Sequence, residues 1–328
     1  MKILITGGAG FIGSHLCEFF LKKKDIKKII ILDNLKDGDR KNIKHLKSSK
    51  IQLKKNDINN YKSITKYFSG IDVVVHLAAL SDIVPSINDP KNYLKTNIIG
   101  TMNVLEAMRA KNVNRIIYAA SSSCYGLPKS FPTKETDSID TRYPYSFSKN
   151  IGEQVIMHWS RVYKIKYISL RLFNVYGTRS RTHGAYGAAL GVFLKQKISK
   201  KPLTIVGNGN QKRDFIYVSD VCEAFYKSIK SKKKNLIFNV GSGRPKTVNY
   251  LTNLIGGKKI FIPKRPGEPD ITYADIKKIK KNLNWRPKIT LKEGINKVID
   301  NIDYWKNAPL WTPKKIKKAT KNWFKYLK

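Results

Sequence analysis

Short apolar runs recur along the first half of the chain, separated by longer stretches whose apolar residues repeat every three to four positions. The runs are KILIT at 2–6, KIIIL at 28–32, IQLKK at 51–55, DVVVH at 72–76, RIIYAA at 115–120 and YISLRL at 167–172. Runs this short, rich in β-branched residues, predict strands covered on both faces. The stretches 11–23, 61–68, 90–111 and 145–163 have the length and spacing of crossover helices. The alternation predicts an α/β fold, a doubly wound parallel sheet of six strands with helices on both sides. After about residue 172 the regularity falls and Gly and Pro become frequent, at Gly177, Gly184, Gly187, Pro202, Gly207 and Gly209. Such a region is expected to lie over the C-terminal ends of the strands. The expected division is therefore 1–172 and 173–328, with some later segments returning to the sheet and a basic tail at 302–328.

Composition narrows the function classes. A hydrophobic fraction of 41% in 328 residues can supply a substantial core. No apolar run approaches the length needed to cross a bilayer, and the opening MKILITGGAGFIG runs into a glycine loop instead of forming a signal peptide. A cytoplasmic enzyme is the expectation. Cys17, Cys124 and Cys222 are odd in number and far apart, which suits a reducing compartment and matches no disulfide framework or zinc spacing, so no metal site is expected. The 64 basic and 23 acidic residues leave a net charge of +41, enough to raise the question of a nucleic-acid partner. The lysines are spread along the whole length, however, and no zinc finger, RRM-like aromatic pattern or Arg-rich arm accompanies them. No specific nucleic acid is expected, whereas an anionic substrate would be drawn to such a field.

Two motifs carry chemistry. Gly7-Gly8-Ala9-Gly10-Phe11-Ile12-Gly13 lies between the first strand and the first helix, where glycines let the backbone turn and approach a pyrophosphate at the helix N-terminus. Asp33 ends the second strand twenty residues after Gly13, the place of a carboxylate that accepts from an adenosine ribose. It would repel a 2′-phosphate, which favours NAD over NADP; Lys36 and Arg40 nearby weaken that preference. The second motif is Tyr145-Ser146-Phe147-Ser148-Lys149, which puts a phenol and an ammonium on one helix face. Lowering a phenol pKa from ~10 to ~7 requires roughly 4 kcal/mol of preferential stabilisation of the phenolate. Lys149, helped by a cationic nicotinamide, could provide it. The hydroxyls Ser121-Ser122-Ser123 end the fifth strand, on the edge that faces a cofactor in a doubly wound sheet.

With these residues the chain resembles the extended short-chain dehydrogenase/reductases of the nucleotide-sugar epimerase/dehydratase group, most closely the UDP-glucose 4-epimerase branch. The resemblance runs from residue 2 to about 301. It rests on TGGAGFIGSHL, Asp33-Asn34, NDI at 56–58, HLAA at 76–79, NIIGTMNVLEA at 97–107, SSSCYG at 121–126 and YSFSK at 145–149. LRLFNVYG at 170–177, QKRDFIYVSDV at 211–221, NVGSG at 239–243 and RPGEPDITYAD at 265–275 continue it. The resemblance implies a Rossmann fold with NAD held by Gly7, Gly10, Phe11, Ile12, Gly13, Asp33, Asn34, Asp57, Ile58, Ala78, Asn97, Tyr145 and Lys149. It implies catalysis by Ser121, Tyr145 and Lys149, and a UDP-sugar held by Ser122, Asn174, Arg213, Arg265 and Glu268, with Thr272 near the sugar 2-position. It also implies a homodimer paired through helices 90–111 and 145–163, where Val104, Met108, Ile151, Val155 and Trp159 exceed one buried stripe.

Within this group, members that dehydrate or decarboxylate the sugar resemble one another in carrying acids just after the first hydroxyl of the serine cluster. Ser122 and Ser123 stand there in this chain. The expected activity is therefore a 4-epimerase working through a transient 4-keto sugar. A dehydratase or 4-ketoreductase is the alternative, and a non-catalytic NAD sensor follows after it. Other conspicuous residues have plainer readings: His76, Cys124, Trp285, Tyr304 and Trp305 as packing residues and His183 as a loop residue. The tail WTPKKIKKATKNWFKYLK is expected to dock on its own protein, with a basic amphipathic contact to an anionic membrane as the alternative.

Overall fold

Apolar runs become strands here because each is paired in one sheet, and the central ones are covered on both faces. The structure is a computed structural model that describes residues 1–180 and 189–327. Its strands β1 (Lys2–Thr6), β2 (Lys28–Asp33), β3 (Ile51–Lys55), β4 (Val73–His76), β5 (Arg115–Ser121), β6 (Lys166–Leu172) and β7 (Leu236–Val240) form one sheet in the order β7-β6-β5-β4-β1-β2-β3. Every pairing is parallel. The expectation of six strands is corrected to seven. β7 comes from the second half of the chain and pairs with β6, Phe238 opposite Leu170. With β7 in place, β6 is an interior strand.

Side chains alternate across the sheet. Ile3 and Ile5 of β1 join one core with Leu16 and Phe20 of the helix Phe11–Leu21 and with Val221 and Phe225 of the helix Val218–Lys230. Leu4 points to the opposite face and joins Val104, Met108 and Ile156 of the helices Gly100–Ala110 and Pro144–Tyr163. A period of two on the strands thus feeds two helical layers. Of the apolar residues that exceed one expected stripe, Val104 and Met108 are wholly buried in the protomer's own core. Ile151, Val155 and Trp159 are half-buried on the same helical layer.

The stretch 90–111 is not one α-helix. It runs as Pro90–Leu94, a π-turn at Lys95–Ile99 and then Gly100–Ala110. Gly100 follows the turn where a Cβ would lie 2.7 Å from the Ile58 side chain. Likewise, 61–68 is α-helical only over Tyr61–Ile64 and continues as a 3₁₀ turn.

Beyond β6, three two-stranded pairs stand over the sheet edge: Asn174–Tyr176 with Phe215–Tyr217, Leu203–Val206 with Lys259–Ile262, and Lys212–Arg213 with Lys246–Thr247. Asp220, on the helix Val218–Lys230, holds the segment 285–289, accepting from the Lys288 and Ile289 amides at 3.0 Å and, through its carbonyl, from the Trp285 indole at 2.9 Å. Trp285 and Trp305 are fully buried, and Cys124 is buried as a packing residue. The tail folds into the helices Pro313–Ala319 and Lys321–Tyr326 and docks on the protein through Ile316 and Trp323. His183 and most of the loop around it lie outside the described residues. Among the described residues no helix is long and apolar enough to cross a membrane.

One buried ion pair joins a helix to the sheet. Glu153, on Pro144–Tyr163, accepts from Arg171 of β6 at 2.6 Å and from the Ser169 hydroxyl at 2.6 Å, and the ion-pair side chains are 2% and 4% exposed. Removing one partner of such a pair strands the other charge. Glu153→Ala is therefore expected to cost about 3–5 kcal/mol, whereas Asp140→Ala, which breaks the exposed pair with Arg142, should cost under about 1 kcal/mol. Urea denaturation of the two variants measures the difference, and equal midpoints would contradict this account.

Candidate functional site

The strand order reverses at β1, whose neighbours are β2 on one side and β4 on the other, so the loops after these strands part and leave a crevice. A continuous cleft of about 730 Å³ opens there and runs on beneath the second half of the chain. Its first end is built by the glycine loop. Gly7 has φ +71° and lies so close to the loop after β4 that a Cβ would come 2.8 Å from the Ala78 nitrogen. A Cβ on Gly13 would lie 2.2 Å from the Gly7 carbonyl oxygen. The helix Phe11–Leu21 begins at Gly10 with no side-chain cap and no acid in its first turn, and Gly10, Phe11, Ile12 and Gly13 line the cleft. An uncapped terminus in a cradle that any larger residue would fill suits a pyrophosphate.

Asp33 stands beside that cradle. Its carboxylate accepts from the Ala9 amide at 2.9 Å and the Leu35 amide at 2.8 Å, one bond to each oxygen, so each keeps a lone pair for a ligand hydroxyl. Burial pushes its pKa upward. Further along, the Asn34 amide donates to Asp57 at 3.0 Å, and Lys36 lies 3.7 Å from the same carboxylate. Lys36 and Ile58 line the cleft there and Arg40 does not. Asn97, expected in the wall, stands behind it. Its side chain accepts from the Leu80 amide at 2.8 Å, donates to the Leu80 carbonyl at 3.0 Å and donates to Ser148 at 2.8 Å. The π-turn aims it at this loop, so Asn97 braces the cleft from outside.

Tyr145 and Lys149 enter from the helix Pro144–Tyr163, which Pro144 starts and Ser146 caps by accepting from the Tyr143 amide at 3.2 Å. Both line the cleft with Ser121 and Ser122. Ser121, at the end of β5, shares a hydrogen bond of 2.8 Å with Ser123 and accepts from the Ser123 amide at 3.2 Å, so its hydroxyl is oriented from behind. The Lys149 ammonium lies 4.2 Å from the centre of the Tyr118 ring. Burial pushes its pKa down to about 7, against the pull of the Glu153 charge. Beneath it His76 is fully buried between the hydroxyls of Thr6 at 2.6 Å and Thr101 at 2.9 Å. Burial, then the Lys149 charge, holds its pKa down to about 3. His76 therefore stays neutral, a packing residue as expected.

The far end gathers residues from three separate segments. Arg265 pairs with Glu268 at 2.9 Å, and Arg213 approaches the same carboxylate at 4.0 Å. Burial lowers the Arg213 pKa, Glu268 raises it and Arg265 lowers it again. The Thr272 hydroxyl donates to Asn174 at 3.0 Å and accepts from the Asp214 amide at 3.1 Å. Asp214 fixes this corner, because its carboxylate accepts from Ser242 and from the amides of Gly243 and Ala274. Every expected site residue except Asn97 lines the cleft. Ser123, Tyr143, Ile316 and Trp323 were missed; all four line it too. Ser123 sits beside a recognised hydroxyl and could have been included, while the other three lack any local motif. Among the described residues no three His, Cys, Asp or Glu side chains gather as a metal site.

Comparison with known proteins shows the family and the fold. Residues 4–298 match the family described as GDP-mannose 4,6 dehydratase. A protein of Methanocaldococcus jannaschii provisionally named a UDP-glucose 4-epimerase is 37% identical, over 91% of this chain and 97% of its own. A crystal structure of the UDP-glucuronic acid 4-epimerase of Bacillus cereus in complex with UDP-glucuronic acid and NAD superposes with a TM-score of 0.86 at 33% identity, covering 92% of this chain and 99% of that one. The UDP-N-acetylglucosamine 4-epimerase of Methanobrevibacter ruminantium, in complex with UDP-N-acetylmuramic acid, superposes with a TM-score of 0.84 at 28% identity, covering 92% and 98%.

Lys149 links this site to stability. Its pKa is near 10.5 in an unfolded chain, and burial in the fold brings it down to about 7. Between those values the unfolded state binds the extra proton, so stability rises with pH, and below pH 7 the full cost of burying the ammonium is present. Ligand-free Lys149→Met should therefore exceed the wild type in stability at pH 6, by on the order of a few kcal/mol, with the gap closing steadily towards pH 10. Guanidinium chloride denaturation at pH 6, 8 and 10 reads this, and a gap that does not change with pH would refute it.

Proposed function

Because this chain belongs to the family of NAD-dependent nucleotide-sugar epimerases and dehydratases, we propose that it is an NAD-dependent nucleotide-sugar 4-epimerase acting on UDP-hexoses. The observation that carries the reading is the wall shared by Ser121, Tyr145 and Lys149, with hydroxyls and no acids at Ser122 and Ser123. Expelling a 6-hydroxyl requires a second acid/base beside the first hydroxyl. The pair of serines offers none.

In the proposed cycle the Tyr145 phenolate takes the 4-hydroxyl proton while C4 gives up its hydrogen with the electron pair. NAD, when bound, is the acceptor and later the donor of that hydride. The Lys149 ammonium, partly desolvated, stabilises the phenolate, and Ser121, oriented by Ser123, holds the sugar oxygen. Arg213 and Arg265 grip the diphosphate, a role that suits guanidinium forks. Glu268, beside both guanidinium groups, accepts from the nucleotide ribose. With the diphosphate as pivot, the 4-keto sugar would turn its other face to the nicotinamide site, and Tyr145 would return the proton to the 4-oxygen. Asp33, Asn34, Asp57 and Ile58 hold the adenosine, the glycine loop the pyrophosphate, and Ala78 lines its path. The reading also includes a homodimer paired through the helical layer that carries Ile151, Val155 and Trp159.

Tyr145→Phe should bind NAD normally and lose at least ~10²-fold in turnover, the scale of a lost general acid/base. The assay is interconversion of UDP-glucose and UDP-galactose with no added cofactor consumed, followed by NMR. Near-normal turnover by the variant would remove Tyr145 from the mechanism, and a product lighter by one water would identify a dehydratase.

Thr272 governs substrate breadth in the same reading. A side chain of this size leaves room near the sugar 2-position that a phenol would fill, and a roomy pocket does not strongly reject the smaller substrate. The wild type should therefore accept UDP-N-acetylgalactosamine as well as UDP-galactose, and Thr272→Tyr should lose at least ~10-fold in kcat/KM for the acetylated sugar only. Should that variant keep its activity on the acetylated sugar, Thr272 is not the gate.

A further inference from the structure

The C-terminal tail lies beyond residues 4–298, the stretch that matches the family, yet it walls the same cleft. Its two short helices leave their lysines exposed and turn Ile316 and Trp323 inward, and both of these line the cleft. Trp323 is 1% exposed. Its indole nitrogen donates to the Pro266 carbonyl at 2.8 Å, its ring centre is 5.7 Å from that of Tyr143, and the Arg265 guanidinium lies 5.8 Å from its ring centre. Val84 is buried in the same apolar cluster, against which Tyr145 packs. Asn322 donates to Asn88 at 2.8 Å, on the helix Ile83–Asn88 that follows β4. At the tail's other end the Trp311 carbonyl accepts from Gln196 at 2.8 Å, and the Gln196 side-chain oxygen accepts from the amide of Thr204, another cleft residue, at 3.0 Å.

We propose that the tail is a strap that completes the nucleotide-sugar site, with Trp323 as a positioning residue for Arg265. This rests on the nucleotide-sugar reading given above. One indole touches the loop that carries Arg265 and Glu268, the residue just before the Tyr145 helix, and the apolar cluster of the helix after β4. Undocking it removes a wall of the cleft and releases the guanidinium from the aromatic face that restrains it. A preordered arginine binds an anion more tightly than one that must be ordered on arrival. By linkage, a ligand that binds more tightly to the docked tail must hold the tail down by the same factor.

The test uses the full chain and four nucleoside diphosphates, UDP, dTDP, GDP and CDP, measured by isothermal titration. Trp323→Ala should bind the diphosphate that the wild type prefers about ten-fold more weakly, and Trp323→Phe should recover most of that loss. NAD affinity should match the wild type in both, which reports that the body of the protein is folded. In turnover the loss should fall on KM and not on kcat. In the wild type, saturating diphosphate should slow tryptic cleavage after Lys317 and Lys318 by a similar factor. Equal diphosphate affinity in Trp323→Ala and the wild type overturns the inference alone. Refusal of all four diphosphates by the wild type overturns the nucleotide-sugar reading, and the inference with it.

Discussion

The cleft depends on the parallel pairing of β1 with both β2 and β4. Ile5 stands opposite Ile31 on one side and Val75 on the other, so the three strands end at one level. Gly7 and Ala78, on the loops that leave β1 and β4, and Asp33, at the end of β2, come to the same edge. A slip of one residue in either pairing would turn every buried side chain of that strand to the opposite face. The two apolar cores resist such a slip, and the dinucleotide end of the site inherits its geometry from their packing.

Charge is arranged against the grain of burial at two places in the cleft. Lys149 and Arg213 are cations whose protonated forms burial disfavours. Their nearest opposite charges, Glu153 and Glu268, are shared with Arg171 and Arg265 respectively. A site of this kind gains when an anion or a phenolate enters it, because the incoming charge removes part of an existing cost. The net charge of +41 acts on the same ligands from a distance. The long-range field and the short-range deficit favour one sign of substrate.

Stability and chemistry pull apart at the Tyr145 helix. Lys149 burdens the fold at neutral and lower pH, while Glu153, one turn further along the same helix, anchors it to β6 through Arg171. The helix therefore carries a destabilising group in the cleft wall one turn before a strongly held one. Trp323 packs against Tyr143, the residue that caps the helix, so the helix is held at its start as well as at its middle.

Much of this was legible in the sequence. The strand and helix pattern, the glycine loop with Asp33, the serines that end β5 and the Tyr-x-x-x-Lys pair are local features. Backbone sterics and the repeat of a strand or helix turn determine them within a few residues. What only the tertiary structure decided depends on which distant segments bury one another. β7 became a sheet strand because β6 lay open beside it. Val104 and Met108 faced inward because the sheet offered a second core. Asn97 went behind the wall because a π-turn, invisible to a helical repeat, redirected it. The depth that moves the Lys149 proton, the meeting of Arg213 with Arg265 and Glu268, and the indole of Trp323 against Tyr143 all join segments far apart in the chain. Burial and electrostatics at such places are sums over neighbours that no local window contains.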